Sequence, residues 1–259
     1  MIDRNKTAVL ADVQDFTPCE IPLPDMNYPS SGELHLWFLD LGGLAGSLRD
    51  ALGGGEEELA PVTTGQLRFA RRFYLRLLLG AYLGLPGKSV RINRKNRGKP
   101  VLDTTVHDTR LHFSMAKSED KLMIGFSTSS HIGVDLEPAR RRARDAMGVA
   151  RRYFTPAEAD ALATTAPADR DAAFLRVWAC KEAVVKASGQ GIANQFSRFT
   201  VDADLSNPAA VLDFEGEDAD GWSLALVRPG DDFLGAVAIQ DRVTTVQAFR
   251  LLPASRSSG

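Results

Sequence analysis

Ile132-Gly133-Val134-Asp135-Leu136-Glu137 is the stretch on which the reading of this chain turns. Its alternation predicts a β-strand, and a period of two sets Asp135 and Glu137 on one face with Val134 and Leu136 on the other. Carboxylates held this close repel each other and favour a cation, and a few hard oxygen ligands suit magnesium that also binds substrate phosphates. A solvent-facing edge strand carrying two ordinary surface acids accounts for the same pattern. The strand therefore organises the fold but does not by itself decide the chemistry.

Downstream, Pro138 opens helical material running to about Ala163, and a further helix is expected from about Asp169 to Ser188, stopped by Gly189. Projected at ~100° per residue, that helix gathers Phe174, Val177, Trp178, Val184 and Val185 into an apolar arc with Lys181 in its middle. A lysine so placed snorkels, meets a buried partner, or lines a pocket where an anion compensates it. Glu182 and Lys186 share the helix flank at the spacing of a surface ion pair. A pocket giving Asp135, Glu137 and Glu182 to a metal, and Lys181 and Lys186 to phosphate oxygens, accounts for all five residues together. Three strands follow, Phe199 to Val201, Trp222 to Val227 and Gly235 to Ile239.

Upstream, the same order of strand, helix and strands is already present once. Glu33 to Leu41 predicts a strand, and the turn Gly53-Gly54-Gly55 leads into a long helical stretch to about Leu83, interrupted near Pro61 and ended by Gly84 and Pro86. After the polar segment Arg91 to Pro100 come strands at Arg110 to Met115 and Lys121 to Ser127, joined by Lys117-Ser118-Glu119-Asp120. The expectation is an α+β fold, a pseudo-dimer of two similar α+β halves at residues 33–131 and 132–252. An extended lead-in, 1–32, holds Pro18, Pro22, Pro24 and Pro29, and residues 253–259 form a disordered tail. No residue-level repeat is visible, so the two halves rest on element order alone.

Composition narrows the function classes. The 259 residues are 44% hydrophobic and 25% charged, an ordinary globular balance, and the net charge of -2 gives no general attraction to nucleic acid or to an anionic membrane. An anionic ligand must be met by local clusters of Lys and Arg. Cys19 and Cys180 are far apart and lack metal-ligand spacing, which argues against a disulfide framework and a zinc site and fits a reducing compartment. No run approaches ~18 apolar residues, so a soluble cytoplasmic protein is expected. His35, His107, His112 and His131 show no ligand spacing, and Cys180 and Trp178 read as packed core. No Gly-x-Ser-x-Gly elbow, P-loop or dinucleotide-binding glycine pattern occurs, which weakens hydrolase, NTPase and dehydrogenase readings.

Gly133-Val134-Asp135-Leu136-Glu137 followed by Trp178-Ala179-Cys180-Lys181-Glu182-Ala183-Val184-Val185-Lys186 resembles the paired signature of the Sfp-type 4′-phosphopantetheinyl transferases. Arg97-Gly98-Lys99-Pro100 resembles the family's Gly-Lys-Pro segment near the coenzyme A adenosine. The Arg-rich helix from Arg68 to Arg76 is similar to its first-half helix, with Arg72 matching the arginine on the nucleotide phosphate. Phe113-Ser114-Met115-Ala116-Lys117-Ser118 stands where the family usually has Phe-Asn-Leu-Ser-His-Ser. Lys117 thus replaces a histidine that helps hold the 3′-phosphate, as a permanent charge rather than a titrating ring.

The resemblance implies an active site in the cleft between the halves, with coenzyme A as co-substrate and magnesium as cofactor. Asp135, Glu137 and Glu182 are the implied metal ligands, and Glu182, Asp135 and Lys186 the implied catalytic residues. Arg72, Lys99, Pro100, Lys117, Lys181 and Lys186 are the implied coenzyme A contacts. The partner is an apo acyl or peptidyl carrier protein, steered by the basic run Arg140 to Arg144 or indifferent to it if that run is only a solvated helix face. A chain holding both halves is expected to act as a monomer. A catalytically silent carrier-binding or nucleotide-sensing module of the same fold is the alternative.

Overall fold

The computed structural model describes residues 10–51, 62–94, 98–189 and 195–254. An extended entry carries β1 (Thr17–Glu20), followed by β2 (Glu33–Asp40), α1 (Leu41–Ala51), α2 (Thr64–Leu83), β3 (Ile92–Arg94), β4 (Pro100–Leu102), β5 (His112–Ser118) and β6 (Lys121–Ser127). Next come β7 (Ile132–Pro138), α3 (Ala146–Tyr153), α4 (Pro156–Thr164), α5 (Arg170–Ser188), β8 (Phe199–Val201), β9 (Val211–Phe214), β10 (Ser223–Val227), β11 (Phe233–Ile239) and β12 (Thr245–Leu252). The α+β class agrees with the sequence reading.

Two sheets lie back to back with helices on their outer faces. A five-stranded sheet runs β1-β12-β2-β6-β5 and a three-stranded sheet runs β10-β11-β7. β2 is buried almost throughout because both of its faces are covered: Trp37 and Leu39 pack with Leu75, Leu78 and Leu79 of α2, while Leu36 and Phe38 meet Val134, Leu136 and Val237 of the other sheet. A strand covered on both faces reads as a continuous apolar run. On the far side, Leu224, Ala236 and Ala238 pack against Val177, Ala183 and Val184 of α5. This leaves α5 buried nearly all round, Arg176, Lys181 and Glu182 included, a helix enclosed by protein.

Local chemistry sets the ends of the elements. Thr63 and Gln66 form a capping box at the start of α2, and Gly84 closes it at φ 62° in the left-handed region. The helical material expected after Pro138, to about Ala163, is two helices, α3 and α4. Thr155 and Glu158 make a capping box for α4 with Pro156 in its first turn, which forces a restart after α3. β5 begins and ends later than expected, and its hairpin with β6 tightens to a turn at Glu119, φ 52°.

Two features depart further from the sequence reading. α1 follows β2 directly, its Gly42, Gly43 and Gly46 concealing a helix whose Leu41, Leu44 and Ala45 are buried. Residues 245–252, read as part of the second half with no strand assigned, form β12, which pairs in parallel with β2 and β1 inside the first sheet. The Gly53-Gly54-Gly55 turn, the interruption at Pro61, Arg97 and residues 255–259 of the tail lie outside the described residues.

Candidate active site

β7 and α5 carry the charged cluster. The alternation expected for β7 holds: Val134 and Leu136 enter the core between the sheets, and the opposite face meets α5, where a Cβ on Gly133 would lie 1.9 Å from the carbonyl oxygen of Ala183. Glycine is required by that approach. It lets Asp135, only 5% exposed, sit beside Glu182, 8% exposed. Lys186 Nζ donates to Asp135 Oδ1 at 2.7 Å and lies 3.7 Å from Glu182 Oε2, so these three side chains form one contiguous group.

Glu137 is held by the guanidinium of Arg141. Burial raises the pKa of Glu182 above the ordinary carboxylate value, with Lys186 opposing and Asp135 and Glu137 adding to the shift. Burial also raises that of Glu137, against the pull of Arg141. Asp135 Oδ2 is buried without a hydrogen-bond partner. Three hard oxygen donors that repel one another, one of them orphaned, fit a small divalent cation with carboxylate preference. Among the described residues no three His, Cys, Asp or Glu side chains are already gathered as a metal-holding group. Lys186 and Arg141 compensate the carboxylates instead.

Lys181 meets a buried partner, one of the three settings its sequence position left open. Its ammonium is fully buried, 2.9 Å from Glu158 Oε2, and donates to the carbonyls of Phe196 and Phe199 at 2.6 Å each. Three acceptors use its three donors, and Asp135 is not among them. Burial lowers its pKa below the usual lysine value, and Glu158 offsets this.

The expected nucleotide contacts gather along α2 and the β3–β4 hairpin. A cavity of about 350 Å³ is lined by Arg71, Arg72, Arg76, Arg94, Pro100 and Met115, among others. A wider one, about 1050 Å³, adds Arg68 and Lys88 beside the exposed Phe69 and Phe73. Lys99 Nζ donates to the carbonyl of Lys186 at 2.7 Å, so the hairpin abuts the last turn of α5. Lys117 is exposed on β5, two residues beyond Met115 and on the same strand face.

Arg71, Arg76 and Arg94 were not singled out from sequence. The 68, 72, 76 spacing on one helix was the available signal. The basic run is not a helix face, since Arg140 to Arg144 precede α3 in turns and loop. Arg140 pairs with Glu119 at 2.5 Å and Arg142 with Asp171 at 3.0 Å.

His35 and His107 are buried, and His112 and His131 contact each other with Nδ1 atoms 3.1 Å apart. Burial pushes the Cys180 thiol up to about 12, as befits a packed side chain. No helix among the described residues is long and apolar enough to cross a membrane.

Comparison with known proteins points in one direction. The family model of the 4′-phosphopantetheinyl transferase superfamily matches residues 131–238. The chain is 30% identical over 233 residues to 4′-phosphopantetheinyl transferase HetI of Nostoc sp., covering 85% of this chain and 92% of that protein. It is 26% identical over 166 residues to the 4′-phosphopantetheinyl transferase of Bacillus subtilis, covering 58% of this chain and 71% of the relative. To the human L-aminoadipate-semialdehyde dehydrogenase-phosphopantetheinyl transferase it is 24% identical over 198 residues, covering 68% and 64%.

Proposed function

The chain belongs to the 4′-phosphopantetheinyl transferases, enzymes that modify carrier proteins with coenzyme A as co-substrate, and from that premise we propose a magnesium-dependent reaction at the Asp135–Glu182–Lys186 cluster. The observation that carries this reading is the lysine between two buried carboxylates, one of which keeps an unpartnered oxygen.

In this reading the arginines of α2, with Arg72 among them, hold the nucleotide phosphates, and Lys99 and Pro100 bring the hairpin against α5. Lys117 supplies the charge at the 3′-phosphate. Asp135, Glu137 and Glu182 would hold magnesium, which neutralises charge on the pyrophosphate oxygens when bound. Lys186 adds a positive charge where negative charge builds on the transferring phosphoryl group, the term that dominates such transfers. The carrier serine attacks the β-phosphorus, which bears pantetheine. Its P–O bond to the nucleotide breaks, and the electron pair leaves with adenosine 3′,5′-bisphosphate. The serine proton passes to a base within hydrogen-bond reach, for which Glu182 is the placed side chain. The two halves are proposed to work as one monomer, with Arg140 to Arg144 steering an acidic partner.

Intact-mass spectrometry of an apo carrier protein incubated with the enzyme, coenzyme A and magnesium tests this directly. A gain of one phosphopantetheine is expected, absent without magnesium and absent with Asp135→Ala or Glu182→Ala. No gain across acyl and peptidyl carriers, with coenzyme A still bound, would instead support the silent module. Bisphosphate released from coenzyme A without any carrier would indicate a hydrolase.

A further inference from the structure

We propose that Glu158 and Lys181 are a positioning pair that fixes the rotation of α5, and with it the placement of Glu182 and Lys186 against Asp135. The proposal assigns the lysine of the Trp178–Lys186 motif a role through the helix, away from phosphate. It rests on the transferase reading only for its kinetic arm.

The pair is enclosed on every side. Glu158 is 1% exposed and Lys181 not at all. Glu158 Oε2 accepts from Thr155 N at 2.9 Å and Thr155 Oγ1 at 3.0 Å, while Oε1 accepts from the backbone of Val201 at 2.8 Å. The residue that completes the capping box of α4 thus also anchors β8 and the middle of α5. Lys181 Nζ in addition lies 4.3 Å from the centre of the Phe199 ring. These bonds tie α4, α5, β8 and the carbonyl of Phe196 to one another, so the pair has one arrangement.

Helical geometry turns that anchorage into a placement of the site. Counting ~100° per residue from Lys181, Ala183 and Ala187 lie at about 200° and 240°, and Glu182 and Lys186 lie between, at about 100° and 140°. The first two are the residues whose backbone presses on Gly133. α5 is therefore held from opposite sides, by β7 at Gly133 and by Glu158 at Lys181, with the reactive residues on the flank between. The contact at Gly133 is backbone against backbone, with no side chain to key the rotation of the helix. The ion pair stops the roll. Side-chain tips lie ~5–6 Å from a helix axis, so a roll of about 10° moves Glu182 and Lys186 by about 1 Å. A displacement of that size in a catalytic group costs on the order of 10²-fold in rate.

Glu158→Gln is the decisive variant, because Glu158 lies on another helix, fully enclosed, and touches none of the groups assigned to substrate. Lys181→Met and the double variant Lys181→Met/Glu158→Gln accompany it, each assayed well below its own melting midpoint. The expected result is a folded protein whose kcat falls roughly 10- to 100-fold while KM for coenzyme A stays within about twofold. A crystal structure of the double variant is expected to show α5 rotated, with Lys186 Nζ shifted from Asp135 by about 1 Å.

A rise in KM for coenzyme A of about tenfold or more in the Lys181→Met protein, with kcat retained, would place Lys181 on phosphate and overturn the proposal. Unchanged kcat, KM and helix position in folded variants would leave the pair a purely structural bond and overturn it as well. If the unaltered protein transfers nothing to any carrier, the transferase reading fails, and the crystal structure alone decides the positioning role.

Discussion

At the scale of single residues, Lys186 is where charge and position coincide. Its ammonium spans Asp135 and Glu182, so Lys186→Met removes the compensation of two buried carboxylates as well as a donor to the phosphoryl group. We expect kcat to fall on the order of 10²–10³-fold, the usual effect of losing one preorganised electrostatic contact, measured by carrier modification at saturating coenzyme A. His35 offers a test of stability. Its Nδ1 lies 2.7 Å from Tyr82 Oη, and burial lowers its pKa below 6.5 despite Glu33 at 3.7 Å. The unfolded chain then binds the proton more readily, so the contribution is full above about pH 6.5 and is lost as pH falls. Glu33, lowered by the backbone N–H of Ser30, acts only near and below 4.5. Glu137 and Glu182, raised by burial, act in the opposite direction, so the effect is read as a difference: between about pH 6.5 and 5 the melting temperature of the unaltered protein should fall relative to that of His35→Gln, and equal slopes would exclude a His35 contribution. Single residues were only partly legible in the sequence. Alternation alone located Asp135 and Glu137 on a common face, whereas Lys181 in an apolar arc left three settings open, because its partner Glu158 comes from a helix that no local pattern links to it.

At the scale of elements, the decisive joint is β7 against α5. Gly133→Ala would bring a Cβ to 1.9 Å from the Ala183 carbonyl oxygen and 2.5 Å from the Ala187 nitrogen. Both obstacles are helix backbone, so the strain is relieved only by moving α5. Overpacking of this kind costs typically ~1–3 kcal/mol, and here the upper end is expected in urea unfolding, together with a larger loss of activity than the stability change explains. α2 is the second element with a testable face. Arg72→Ala should raise KM for coenzyme A roughly tenfold with little change in kcat, the mark of a contact made equally in ground and transition states. A fall in kcat alone would move Arg72 out of the nucleotide site. β2, β7, α2 and α5 were readable because long periodic runs and glycine stops announce them. α1 was hidden by three glycines, and the break between α3 and α4 depended on recognising Thr155-Pro156 as a cap and first turn rather than a continuing helix.

At the scale of the whole molecule, the return of residues 245–252 to the first sheet ties the last part of the chain to the first. β12 lies between β1 and β2, parallel to both, a crossover that sequence alone could not place because parallel partners lie far apart in the chain and share no turn signal. Its Phe249 stacks on Trp37 with ring centres 4.8 Å apart, Leu251 enters the core beneath α2, and Ala248 enters the core between the sheets. Removing residues 245–259 would thus open the middle of the five-stranded sheet, leaving β1 without a partner and β2 with an exposed edge over two cores. Because the core between the sheets is shared with β7, the disturbance reaches the Asp135 cluster. The full chain should melt in one cooperative transition by near-ultraviolet and far-ultraviolet circular dichroism alike. A chain ending at residue 244 should show no such transition and no transfer to a carrier protein. A cooperative melt with retained activity in the shortened chain would mean that the first half closes its sheet without β12, and that the halves are the independent units their matching element order suggests.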